Sequence, residues 1–131
     1  MLTAISTDWV FRIPAVRAAE ARAATGGETW LYLFSWASPA FDGRLGAAHI
    51  LEIPFAFDNL HQPGVDAFTG GQAPQPLADR MHETWIGFVR GDDPGWPTYT
   101  PDRRAVMRFD TDCEVLDDPG RLEREAWAGL R

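Results

Sequence analysis

Between Glu28 and Trp36 the chain places large apolar side chains at almost every position. Alternation is the geometry of a strand, so Trp30, Tyr32, Phe34 and Trp36 project one way and Leu31 and Leu33 the other. Neither face is polar. A strand that is apolar on both faces has to be covered on both sides, which is the situation inside an α/β sheet. This one segment therefore argues for an α/β fold.

The remaining bounds are coarser. The 131 residues suit one domain or part of one. Twelve basic and nineteen acidic side chains leave a net charge of −7, the wrong sign for a nucleic acid or an anionic membrane surface. No apolar run approaches the roughly 18 residues of a membrane span. The start, Met1 to Ser6, has neither a basic nor a long apolar region, so no signal peptide is expected. Nothing fixes a compartment, and a cytoplasmic one is the expectation. Cys113 is the single cysteine, which excludes an internal disulfide. Every basic residue is arginine, so lysine chemistry is absent from the sequence. Six Trp and eight Phe imply a dense aromatic core, a pocket or an interface.

Along the chain, Thr7 or Asp8 is placed to cap a helix over Trp9 to Ala24, with Pro14 in its first turn or kinking it and Gly26-Gly27 ending it. After the strand, 38–48 reads as a loop and Ile50 to Phe57 as a short apolar segment. Residues 58–76, rich in Gly and Pro, read as a long surface connection. Leu77 to Arg90 is the clearest helix, with Leu77, Met81, Thr84, Trp85 and Phe88 on one face. Ala105 to Phe109 and Glu114 to Leu116 read as two short strands around a turn. Asp118 is placed to cap a last helix, with Pro119 at its first position, that runs to about Trp127.

His49 is the leading candidate for chemistry. It follows a Gly-containing loop that leaves the apolar strand, and sites in α/β sheets lie just past the C-terminal ends of strands. Imidazole is the usual general base near neutral pH. The competing reading is a loop histidine bonded to backbone, and the residues alone leave both open. Glu52 lies three positions on, where it could orient the imidazole or act as a first-turn helix acid. His61 and His82 are isolated, and no His pair has metal-ligand spacing, so no metal is expected. Asp110, Asp112 and Glu114 resemble the start of a calcium loop but lack its glycine and distal glutamate. Cys113 reads as a spectator. Serine occurs only at positions 6, 35 and 38, never in a nucleophile elbow, and no phosphate-binding or dinucleotide glycine loop is present. No cofactor is expected.

The run Gly46-Ala47-Ala48-His49-Ile50-Leu51-Glu52-Ile53-Pro54-Phe55-Ala56-Phe57 resembles the catalytic-histidine segment of type B carboxylesterases, the group with para-nitrobenzyl esterases and cholinesterases. That segment reads G-x-x-H-x-x-E-[IL]-x-[FY]-x-F. The flanks are similar too, in order and spacing. They are Asp8-x-x-Phe11-x-x-Pro14, the strand at 29–36, the helix from Leu77 to Phe88, and Gly91-Asp92-Asp93-Pro94 with Trp96-Pro97-Thr98-Tyr99. The resemblance covers essentially the whole chain but only the last quarter of the family.

It implies an α/β-hydrolase fold of which residues 1–131 are a C-terminal segment, incomplete as a stand-alone domain. It implies that His49 is the histidine of a Ser-His-acid triad for carboxylic ester hydrolysis, with serine, oxyanion glycines and acid upstream. Glu52 matches a family position but is not the triad acid. The isolated chain is then expected to be inactive. The strand at 28–36 would lack its upstream parallel neighbour, so the chain is expected to self-associate or to pair with an upstream esterase segment. The alternative is a non-catalytic binding or assembly module derived from a carboxylesterase.

Overall fold

The computed structural model describes residues 2–130, so Met1 and Arg131, the ends of the expected 1–131 segment, lie outside the described residues. In chain order the elements are α1 (Leu2–Thr7), a π-helical turn (Asp8–Arg12), α2 (Ile13–Ala24), β1 (Leu31–Phe34), α3 (Ile53–Ala56), α4 (Val65–Thr69), α5 (Gln75–Arg90), β2 (Ala105–Phe109), β3 (Glu114–Asp117) and α6 (Arg121–Ala126). The strands form one sheet in the order β1-β2-β3, so the expected strand pair does extend the sheet beside β1. The connection from β2 to β3 is too short for a crossover, which makes this pair antiparallel. The Ser35 N–H donates to the Phe109 carbonyl at 2.9 Å, so β1 and β2 finish side by side and run parallel. Among the described residues, the other edge of β1 has no partner strand.

The chain divides into two compact units. One comprises Met1–Leu31, Trp96–Val106 and Val115–Arg131. Here the Trp30 and Trp96 indoles donate to the carbonyls of Trp96 and Leu31, at 3.1 and 3.0 Å. Arg17 reaches the carbonyls of Trp127 and Leu130, at 3.0 and 2.8 Å, and Trp9 stacks at a tilt on Trp127. The second unit comprises Tyr32–Gly95 and Met107–Glu114. Its core is Phe55, Phe109, Met81, Leu77 and Ala78, all buried. Phe34 and Trp36 lie 5.1 and 5.2 Å from Phe55, and Tyr32 meets Phe109 and Trp85 edge to face.

Several local expectations change. Thr7 and Asp8 do not cap a helix. Thr7 ends α1, and Asp8, buried in the π-helical turn, pairs with Arg12 at 3.2 Å. The carboxylate is held by a side chain one turn on, so the backbone continues through it. Pro14 stands in the first turn of α2. The strand is shorter than 28–36. Thr29 and Trp30 are held outside it by the Tyr99 N–H and the Trp96 carbonyl. All four β1 residues are half-buried, so the expected cover on both faces is only partial here.

The connection 58–76 contains a helix, α4, between Gly64 and Gly70, both left-handed. Its turn formers are the helix boundaries. Helix α5 starts at Gln75 with Pro76 in its first turn and ends at Gly91, whose φ of 91° a side chain would oppose. Its apolar stripe is covered at Leu77, Ala78 and Met81 but exposed at Trp85 and Phe88. Asp118 does not cap α6. It has a φ of 50°, and its carboxylate accepts two bonds from Arg124, at 3.0 and 2.7 Å. Helix α6 therefore begins later, after Gly120.

Candidate active site

Beyond β1 the chain runs through a loop closed by an isolated antiparallel bridge between Ser38 and Gly46. Ser38 is buried. Its hydroxyl donates to the Phe68 carbonyl and accepts the Ala40 N–H at 3.0 Å. Gly70, left-handed at the end of α4, comes so near this loop that a Cβ there would lie 3.0 Å from Pro39 and 3.1 Å from the Ala40 nitrogen. Loop and helix α4 are thus one packed piece.

His49 follows at the crest of a tight turn and is exposed. The Leu51 N–H closes the turn on the Ala48 carbonyl at 3.2 Å, and Ile53 does the same to Ile50 at 3.1 Å. Ile50 has a φ of 69°. That conformation suits glycine or asparagine and is an outlier for a β-branched residue. Backbone strain of this kind collects at functional sites, where surrounding structure holds it. Helix α3 begins three residues after Ile50, with Pro54 in its first turn. His49 therefore lies in the loop after β1, beside a short helical segment, as the sequence predicts.

His49 stands on the rim of an open pocket of about 430 Å³. Leu45 and Ile50 of the loop, Ile53 and Pro54 of α3, and Val65 and Phe68 of α4 line it, and Asn59 supplies an amide. Among the described residues no acidic or arginine side chain lines it. The volume falls in the range of small-molecule sites, and the apolar lining with a few polar groups is typical of them.

The other candidates lie elsewhere. Glu52 is half-buried and its carboxylate acts on Tyr32. The Tyr32 phenol is pushed up by burial first and by Glu52 second, while a hydrogen bond with Trp85 opposes both. His82, on α5, bonds the Ala56 carbonyl through Nδ1 at 3.0 Å, which ties α5 to α3. His61 is exposed in a turn. Asp110 accepts the Ser35 hydroxyl at 2.7 Å and the Thr111 N–H at 2.8 Å. With Ser38 bonded to Phe68, both serine hydroxyls of this unit serve structural hydrogen bonds. Cys113 is exposed, its thiol 3.4 Å from the Asp110 carbonyl. Among the described residues no group of three His, Cys, Asp or Glu side chains could hold a metal ion. Among them too, no helix is long and apolar enough to cross a membrane. Sequence reasoning missed the α4 wall of the pocket. Its two flanking glycines, with five residues of an apolar-polar mix between them, were the available signal.

The sequence profile of the carboxylesterase family matches residues 1–127. The chain is 37% identical over 124 residues to a phenmedipham hydrolase of Pseudarthrobacter oxydans, covering 87% of this chain and 25% of that one. It is 28% identical over 127 residues to a para-nitrobenzyl esterase of Bacillus subtilis (strain 168), covering 91% and 25%. A crystal structure of a Geobacillus stearothermophilus carboxylesterase at pH 6.2 superposes with a TM-score of 0.80 at 40% identity, over 94% of this chain and 26% of that one. The chain thus spans about a quarter of the length of these relatives.

Proposed function

Because the chain belongs to the carboxylesterase family and is part of an α/β-hydrolase fold, we propose that it supplies the general-base histidine of an ester hydrolase. The carrying observation is His49, exposed at the crest of a strained turn just past β1, on the rim of an apolar pocket. In this reading His49 takes the proton of a serine hydroxyl as that oxygen attacks the ester carbonyl. It then returns the proton to the leaving alcohol. The serine, the oxyanion donors and the acid that orients the imidazole come from an upstream esterase segment. Glu52 is not assigned as that acid, because the position it matches in the family motif is not that of the triad acid.

We infer the same arrangement for assembly. Among the described residues strand β1 has an unpaired edge, and Trp85, Phe88 and Val89 of α5 are exposed. Such surfaces favour association in water. The isolated chain is expected to self-associate or to pair with the upstream segment, and a sharp monomer mass with cooperative unfolding would refute this.

The test of function is p-nitrophenyl acetate hydrolysis by the chain alone and with an upstream segment, each with His49 and with His49→Ala. The bare chain should show no saturable, His49-dependent turnover. In the complemented enzyme His49→Ala should cost on the order of 10⁴- to 10⁶-fold in turnover, because triad members act as a unit. A complemented Ala variant of full activity would leave only a binding or assembly module.

A further inference from the structure

We infer that α4 is a specificity wall of this site, with Phe68 as the side chain that fixes how large an apolar ester group fits beside His49. The inference rests on the catalytic reading above for its substrate class, but its geometry stands alone. The short helix exists only because Gly64 and Gly70 turn the chain at its two ends. It presents Val65 and Phe68 to the pocket, facing the rim that carries His49 and Ile50. Phe68 is 52% exposed, so the pocket rather than the core is what its ring borders.

The wall is fixed in place. The buried Ser38 hydroxyl holds the Phe68 carbonyl, and Gly70 admits the loop backbone to within the reach of a single Cβ. The loop gripped in this way is the one that leads, three residues after its bridge at Gly46, to His49. Wall and base therefore keep their spacing, which is what a size filter requires. The lining also sets the chemistry. A carboxylate or ammonium on the bound group would lose water without gaining a fully charged ion-pair partner, because among the described residues no acidic or arginine side chain lines the pocket. The occupant is an uncharged aryl or branched aliphatic ester moiety, and among the described residues Asn59 is the one amide side chain in the lining.

The experiment measures binding apart from catalysis. Equilibrium dialysis of the full chain with butyrophenone, an uncharged ketone that mimics an aryl ester and cannot be hydrolysed, should give saturable binding. Butyrate and benzoate should not bind. Phe68→Ala should weaken the ketone by about tenfold, the scale on which apolar pockets discriminate, and Phe68→Asp should abolish binding. Phe41, 62% exposed on the neighbouring loop but outside the lining, is the control, and Phe41→Ala should change nothing. His49 is on the rim, so His49→Ala is read by turnover in the complemented enzyme and not by the ketone. If that variant kept ester turnover while Phe68→Asp lost the ketone, the catalytic reading would fail and the wall would stand. Absent saturable binding, indifference to Phe68→Asp, or displacement of the ketone by an upstream segment would each overturn the wall.

Discussion

In the unit that holds the N- and C-terminal helices, the ties are largely charged. Arg104 pairs with Glu20 at 3.0 Å and approaches Asp118 at 4.0 Å, and Asp118 holds Arg124 at 2.7 Å. The Asp118 N–H donates to the Arg104 carbonyl at 3.0 Å, and both residues are left-handed. Tyr99 is buried beside this network, its hydroxyl without a hydrogen-bond partner among the described residues. Burial, then Glu20, pushes its phenol up, against the pull of Arg104. In the unit that holds His49, rings form the core, and the Arg108–Glu114 pair at 2.6 Å lies at its surface. Phe34, Trp36 and Phe55 cluster within 5.2 Å, and Phe55 is 0% exposed. The contrast teaches where a neutral substrate can be admitted. The aromatic unit offers a largely apolar pocket at its surface, whereas in the charged unit Arg104, Arg124, Glu20 and Asp118 are committed to one another.

If rings are what holds the second unit, its core is the place where truncation costs most. Phe55→Ala removes a fully buried ring that contacts Phe34 and Trp36. A loss of about 3–5 kcal/mol is expected, since the cavity left behind adds to the lost transfer energy. Urea unfolding of the chain, or of its complex with an upstream segment, measures it. A loss under about 1 kcal/mol, the range of surface changes, would mean that the aromatic cluster is not the organising core.

The matching probe of the charged unit is Asp118→Asn. It keeps the shape but leaves Arg124 and Arg104 facing an amide, and a cost of about 1–3 kcal/mol is expected. Acid should mimic it. Hydrogen bonding from Arg124 holds the Asp118 carboxyl below its ordinary range. Its stabilisation is therefore complete above the unfolded value of about 4 and is lost as pH falls through the lower folded value. The hydrogen-exchange protection factors of segments 96–106 and 115–130 should fall on that descent, while α5 around Met81 stays protected. Asp118→Asn should remove this pH dependence. Simultaneous loss in both units would contradict the division of forces.

The two units were also unequally legible in the sequence. Strong periodicity located β1, α5 and the β2–β3 pair to within a few residues, because apolar spacing reports directly which face is buried. The caps misled. Asp8 and Asp118 have the right residue type for helix starts, yet each is taken by an arginine, Arg12 and Arg124. One-dimensional spacing does not show that competition. Helix α4 was hidden for the opposite reason, since its bounding glycines read as continuous loop. The placement of His49 in the loop after β1 was legible from the apolar strand before it and the short apolar segment after it. The pocket beside it was not, because Leu45, Ile53 and Phe68 converge only in three dimensions.

The smallest effect has an informative sign. Ile50 stands in the left-handed region, which costs an L-residue about 1–2 kcal/mol, and is 49% exposed. Asparagine tolerates that conformation and adds none of glycine's unfolded-state freedom, so Ile50→Asn should stabilise the chain by about 0.5–1 kcal/mol after some loss of apolar contact. Ile50→Val, still β-branched, should bring no gain. A substitution next to His49, the proposed base, that raises stability is expected where strain serves function rather than folding. The same Ile50→Asn change places an amide on the pocket rim, so butyrophenone should bind less tightly even as the denaturation midpoint rises. If Ile50→Asn destabilised the chain, Ile50 would belong to the apolar support of the aromatic unit, and strain would no longer distinguish the turn that carries His49.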